Sequence, residues 1–276
     1  MSRSLRFIAL ATLFCSGSAW AEESSCSSPS PECAVVGRWE ISASFGVGQR
    51  SNPVENRSNT PLYVIPRISY YGKRVFLENL DFGFTLHEDD RNTISVLATP
   101  GYDRAFFFRS DLQNIFVAGG TALPTGAFVP TQGQEFEVSE RHTTYLVGPE
   151  WTFGYGWLAG QLNALREVTG RHEGYEVRGA LLAPLLQSKG SLTASAGFTW
   201  KSAEVVRYYY GVRGLYEPGA AFNPFVKVRY SLPVSDRWSV NAFAQYERLG
   251  SGIAESPVIT EDHVTTFFVG VAFRVY

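Results

Sequence analysis

The sequence predicts an all-β fold: a transmembrane antiparallel β-barrel of about 12 strands (range roughly 10–14) behind an N-terminal signal peptide. Three observations predict it. Extended segments alternate apolar and polar residues with period two along most of the 276 residues, the mark of strands whose two faces meet different surroundings. The composition has 20 Phe, 14 Tyr, 6 Trp and 26 Gly against a single Met, which suits twisted strands and aromatic girdles better than helices. The chain also opens with an export leader, and no later stretch is apolar for long enough to cross a bilayer as a helix.

The leader has Arg3 and Arg6, an apolar run from Phe7 to Phe14, and small residues ending Ala19-Trp20-Ala21, so residues 1–21 read as a signal peptide cut before Glu22. Phe14 stands where a lipobox needs a small residue, so Cys15 leaves with the leader. Residues 22–37, rich in Ser, Pro and Glu, read as a periplasmic tail. Within it Cys26 and Cys33 flank Ser-Ser-Pro-Ser-Pro-Glu. They either close a small disulfide loop, as an oxidising compartment favours, or remain two free thiols.

The barrel is expected over 38–276. Its first strand sets Trp39, Ile41, Ala43, Phe45 and Val47 against Glu40, Ser42, Ser44, Gly46 and Gly48. A second runs over 61–71, with Leu62, Val64, Ile68 and Tyr70 opposite Arg67 and Ser69; Pro66 within it cannot donate to a ladder. A third is read as one strand from Val75 to Thr85, with Phe76, Leu80, Phe82 and Phe84 in register, and a fourth from Thr93 to Tyr102. After a blurred stretch at 103–142, strands return at 143–153, 156–167, 174–185, 191–201, 221–233 and 237–249, and the chain closes on Thr265–Tyr276.

Short turns near 72–73, 154–155, 186–189 and 234–236 read as periplasmic, and 51–60, 86–91, 168–173, 202–220 and 250–263 as outer loops. Counts from the two termini meet out of phase in 103–142. A twelfth strand near Gln134–Glu140 restores the even number that bacterial barrels carry. A soluble sandwich shares the alternation, but these strands are long for a globular domain and never turn to a common core.

Several short motifs, taken together, resemble the MipA/OmpV family of Gram-negative outer-membrane proteins. They are Tyr208-Tyr-Tyr-Gly-Val212, Trp238-Ser-Val240, Tyr246-Glu-Arg-Leu249, Ser256-Pro257-Val258 and Gly270-Val-Ala-Phe-Arg-Val275, and the likeness covers Trp39–Tyr276. The resemblance implies an outer-membrane location and a scaffold linking a lytic murein transglycosylase to a bifunctional murein synthase; other members are discussed as adhesins or stress-related proteins. The chain departs from the family in three places. Val275 rather than Tyr276 holds the terminal apolar register, the 103–142 insert is long, and the cysteine pair is additional.

No constellation reads as catalytic. A hydrolase needs a nucleophile, a base and an orienting group within reach, and His87, His142, His172 and His263 fall in loops or at strand ends among solvated charges. Arg171-His172-Glu173 lacks a convergent metal-ligand set, and Gly46-Val-Gly48 is strand glycine rather than a phosphate loop. The chain is therefore read as non-enzymatic and cofactor-free, and its net charge of −2 leaves no nucleic-acid footprint. Its partners are outer-membrane lipid and, by resemblance, the two murein enzymes.

Glu40, Arg67, Glu150, Glu176, Arg178, Lys227, Arg229, Asn241, Gln245 and Glu247 fall on the polar rows and are expected to line the lumen. They form either a plug of mutual ion pairs or the wall of a small pore. Two function classes follow: a non-enzymatic scaffold acting from the inner rim, or a pore or surface-interaction barrel acting through its lumen or outer loops.

Overall fold

The structure is a computed structural model and describes residues 36–107 and 141–275. The leader, the tail with Cys26 and Cys33, and the strand expected near Gln134–Glu140 lie outside the described residues.

Twelve strands close one antiparallel barrel in which each strand pairs with its sequence neighbours and the first pairs with the last. They are β1 (Trp39–Arg50), β2 (Thr60–Tyr71), β3 (Val75–Glu78), β4 (Asp81–Glu88), β5 (Asn92–Pro100), β6 (Tyr145–Tyr155), β7 (Leu158–Glu167), β8 (Tyr175–Gln187), β9 (Ser191–Lys201), β10 (Ala221–Pro233), β11 (Trp238–Arg248) and β12 (His263–Arg274). Among the described residues, three short helices sit in the outer connections: α1 (Arg104–Phe107), α2 (Ala203–Tyr210) and α3 (Ser251–Ala254).

The pattern of burial is inverted relative to a soluble protein. Along β10, Asn223, Phe225 and Lys227 are buried while Phe222, Val226 and Val228 are exposed; along β12, Thr266 and Phe268 are buried while Phe267, Val269 and Val271 are exposed. Leaving a large apolar side chain in water forgoes roughly 1.5–3 kcal/mol, so a continuous apolar exterior around a polar interior fits hydrocarbon, not water, as the surrounding medium. Strand-to-strand pairing closes the ring and satisfies the backbone along most of the wall, as lying in lipid requires. Aromatic rings gather at both rims, Trp39, Tyr155 and Trp238 at the end carrying the short turns and Tyr145, Tyr175, Phe222 and Tyr246 at the other.

The expected strand number holds, but the twelfth strand arises in a different place. The single strand expected over Val75–Thr85 is a hairpin, with β3 and β4 joined at Asn79-Leu80 and Glu78 opposite Asp81. Asn79 supplies the positive φ of this turn (φ 56), and its side-chain oxygen accepts the Ile68 amide at 3.1 Å. Asparagine is one of the few residues that tolerates this conformation. The extra reversal turns residues 86–91 to the inner end, with the other short turns, rather than to the outside.

It also corrects the facing of individual residues. Phe76 points inward over Gly83, where a β-carbon would lie 2.0 Å from the ring, while Phe82 and Phe84 point outward. Leu62 is fully buried rather than in the outward row of Val64, because a bulge between Phe45 and Gly48 on β1 shifts the register there.

Candidate functional site: the lumen and its outer lid

The lid is built from three connections that fold into the outer mouth. α2 forms because Val205, Val206, Tyr209 and Tyr210 recur at one helical face, all of them buried. Glu204 lies in its first turn and Arg207 in its last, each matched to the helix dipole. This face packs with Phe106 and Phe107 of α1, Ile253 of α3, and Val54, Leu249 and Val264 from the strand ends. This buried apolar cluster lies at the end of the barrel where the outer loops begin.

Polar contacts fix the lid to the wall. Asp103, just before α1, accepts from the Lys201 ammonium of β9 at 2.5 Å and from the Tyr210 hydroxyl of α2 at 2.6 Å. The Ser256 hydroxyl donates to the Tyr210 carbonyl at 2.6 Å, Thr144 and Tyr209 share a hydroxyl contact at 3.1 Å, and the Tyr102 hydroxyl donates to Asp81 at 3.0 Å. Burial alone would raise the Asp103 carboxyl, but the adjacent Lys201 charge and the hydrogen bonds from Lys201 and Tyr210 hold it below the usual carboxylate range. Burial, reinforced by Asp103, pushes the Tyr210 phenol far above its ordinary value, so it stays a donor. Arg141 lies over the Phe107 ring at 4.0 Å, and burial lowers its guanidinium to about 10.

Below the lid stand the polar rows. Arg178 grips Glu176 with two nitrogens at 3.0 and 2.7 Å, both residues buried. Arg67 pairs with Glu78 at 3.0 Å, and the Tyr71 hydroxyl donates to the same carboxylate at 3.1 Å. Glu150 accepts from the Gln161 amide. Glu247 accepts from Asn223 at 3.3 Å, and Asn241 donates to Ser239 at 3.3 Å. Lys227 sits 5.2 Å from the centre of the Phe243 ring and beside Gln245 in the next strand. Arg229 lies opposite Phe243, and Glu40 opposite Ser69. All ten residues expected in the lumen lie on barrel strands and are buried or half-buried. Several residues central to the site were not singled out from sequence: Asp103, Lys201, Glu78, Asp81 and Arg50, the last with its guanidinium 4.2 Å above Phe106.

Towards the inner end the lumen loosens. An open cavity of about 460 Å³ there is lined by Gln161, Thr152, Thr93, Ser195 and the 88–92 turn.

The outer loop after β7 is organised by Glu167. Its carboxylate accepts the backbone amides of Thr169 (2.6 Å), Arg171 (3.0 Å), Glu173 (3.1 Å) and His172 (3.3 Å). The Nδ1 of His172 accepts the Gly174 amide at 3.1 Å and its ring packs on Tyr208, so Arg171-His172-Glu173 is a folded turn. Burial lowers the His172 pKa and keeps the ring neutral. Among the described residues no group of three or more His, Cys, Asp or Glu converges to hold a metal. His87 lies next to the last residue of β4, and His263 opens β12.

An inside-out closed barrel with a polar lumen and rim aromatics defines an outer-membrane β-barrel protein. The family model described as MltA-interacting protein MipA matches residues 41–275, and the chain belongs to that family. It is 23% identical over 247 residues to the putative outer membrane protein YiaT of Escherichia coli K12, covering 85% of this chain and 91% of that protein. It is likewise 23% identical over 247 residues to the MltA-interacting protein of the same organism, covering 85% and 90%. A shorter stretch of 87 residues, 29% of this chain and 33% of the relative, is 32% identical to OmpV of Vibrio cholerae. Among solved structures, OmpT of Vibrio cholerae aligns with a TM-score of 0.36 at 11% identity over 86% of this chain and 97% of that one. The protein is located in the outer membrane, as its relatives are.

Proposed function

We propose that this chain is a non-enzymatic, non-conducting outer-membrane scaffold that presents its inner rim to murein-remodelling enzymes, a lytic transglycosylase and a synthase. The observation that carries the reading is the lid. Asp103, Lys201 and Tyr210 join the outer mouth to the wall, and the cluster around them is buried and apolar. A pore needs a continuous polar path, and an interlocked apolar lid opposes one. The surface left to act is the periplasmic rim, with its turns and open cavity. A relative named for interacting with MltA, matched over most of both chains, supports a partner of that kind.

The experiment pairs planar-bilayer recording with capture of purified murein transglycosylase by the reconstituted barrel. The scaffold reading expects a silent bilayer together with saturable capture. Ohmic openings at neutral pH, or no capture, contradict it.

A further inference from the structure

The barrel wall has a seam. β2 pairs with β1 along Thr60–Tyr70, yet on its other edge it pairs with β3 only at Ser69, Tyr70 and Tyr71. β3 is four residues long and turns back at Asn79-Leu80. Among the described residues, the outer part of β2 from Thr60 to Arg67 therefore has a strand partner on one side only. Above the β3–β4 turn the seam is bridged by α1, where the Asn52 side chain donates to the Phe106 carbonyl at 3.0 Å. On the far side stands the outer end of β5, tied to the turn through Tyr102 and Asp81.

Two further features single this edge out. The first is that it is blunted. The Ile68 amide is taken by the Asn79 side chain at 3.1 Å, its carbonyl by the Asn79 amide at 2.7 Å, and the Gly72 amide by Val75 at 2.7 Å. By strand parity Pro66 presents its nitrogen to this same edge, where it has no proton to donate. Proline and a side chain mimicking a strand are the devices by which proteins discourage strand addition.

The second is the character of the lumen behind it. Leu62 and Ile65 of β2 cluster there with Phe243 of β11 and Phe268 of β12. On the other flank Phe76 packs with Leu97, Leu146 and Leu165. The ring of Phe268 has room because Gly46 and Gly270 face it; a β-carbon at either would lie 2.8 or 2.7 Å from its tip. Outside, Tyr63, Val64 and Phe82 are exposed. Among the described residues, apolar lumen side chains thus stand on both flanks of this gap, with others such as Phe225 of β10 further round the wall.

The geometry points to a lateral port in the outer-leaflet half of the wall that admits the hydrocarbon chain of a membrane lipid between β2 and the β3–β4 hairpin, against Leu62, Ile65 and Phe268. A hydrocarbon chain fits where a strand does not, because it asks nothing of the donor that Pro66 lacks. A second copy adding its own strand is disfavoured by the same blunting. The assignment is independent of the murein-scaffold reading, which concerns the other end of the barrel.

The test is photolabelling of the full mature barrel in vesicles of phosphatidylethanolamine and phosphatidylglycerol that contain a phospholipid with a terminal acyl-chain diazirine. Peptide mapping is expected to find label on the inward residues Leu62, Ile65 and Phe268 as well as on the outward Phe267 and Val269. The inward Phe225 of β10, remote from the seam, is expected to stay unlabelled. Ile65→Trp, which fills the port, is expected to reduce label at Phe268 several-fold and leave Phe267 unchanged, with folding followed by heat-modifiable gel mobility. The map on the unmodified chain decides alone if that variant does not fold. Label confined to outward rows, or equal on Phe225 and Phe268, overturns the port.

Discussion

The ammonium of Lys201 and the carboxylate of Asp103, 98 residues apart in sequence, meet at 2.5 Å beneath the lid, both almost wholly buried. This contact joins the connection after β5 to the barrel wall, and Tyr210 of α2 adds a third element to the same oxygen. Removing one partner of a buried pair leaves the other charged and unpaired, which typically costs about 3–5 kcal/mol. Asp103→Ala is expected to lower thermal stability, read by loss of heat-modifiable mobility, and to let ions flow through a barrel that is otherwise expected to be silent. Asp103→Asn keeps an acceptor for Tyr210 and is expected to fall between.

Acid should act on the same contact. The Asp103 carboxyl titrates lower in the folded protein than in the unfolded chain. Its contribution is therefore fully present above the unfolded value, about 3.9, and is lost as pH falls through the folded one. Conductance is expected to stay absent from neutral pH down to about pH 4 and to appear below it. Asp103→Asn should show no such acid-dependent step. A lid that opens as pH rises from 5 to 8 would contradict this assignment.

Asn79 carries the turn on which the twelve-strand count depends. Asn79→Ala places a less tolerant residue at φ 56 and leaves the Ile68 amide without its acceptor, together worth about 1–3 kcal/mol. Urea unfolding in detergent should show a loss of that size. Asn79→Gly relieves the backbone but not the hydrogen bond, and should recover part of it.

The strand count and most of the facing were legible because lipid and lumen impose opposite demands on alternate residues. Val226, Val228 and Lys227, Arg229 show this plainly on β10. The β3–β4 hairpin was not legible, for a specific reason. A two-residue turn reverses which parity faces inward, yet Phe76 before it and Phe82 and Phe84 after it are all aromatic and even-numbered. Phe76 is an inward aromatic over Gly83, so the apolar period runs through the turn unbroken and the two strands read as one. Pro66, awkward for a paired strand, is at home once β2 is seen to have an unpaired edge. The lid was hidden differently: Val205, Val206, Tyr209 and Tyr210 have helical spacing, but they lie in the outer connection 202–220, where a strand-based reading expects loop. Asp103 and Lys201 meet only through tertiary folding, and no local pattern links them.

Glu167 offers a local test of the outer loops. Glu167→Ala removes the acceptor of four backbone amides in residues 169–173. A lost set of charge-assisted bonds of this kind is worth about 1.5–3 kcal/mol. Limited trypsin digestion of whole cells should then cleave after Arg171, a site expected to be protected in the parent protein, while the barrel itself stays intact.

The central claim is a lumen sealed at the outer end and accessible from the inner one. It is tested most directly with Ser195→Cys, whose parent residue lines the inner cavity, in a background lacking the other cysteines. A polymer-linked maleimide too large for porins is added to intact cells and, separately, to cells with a permeabilised outer membrane. Modification only after permeabilisation is the predicted result; modification of Cys at this position in intact cells would contradict the account.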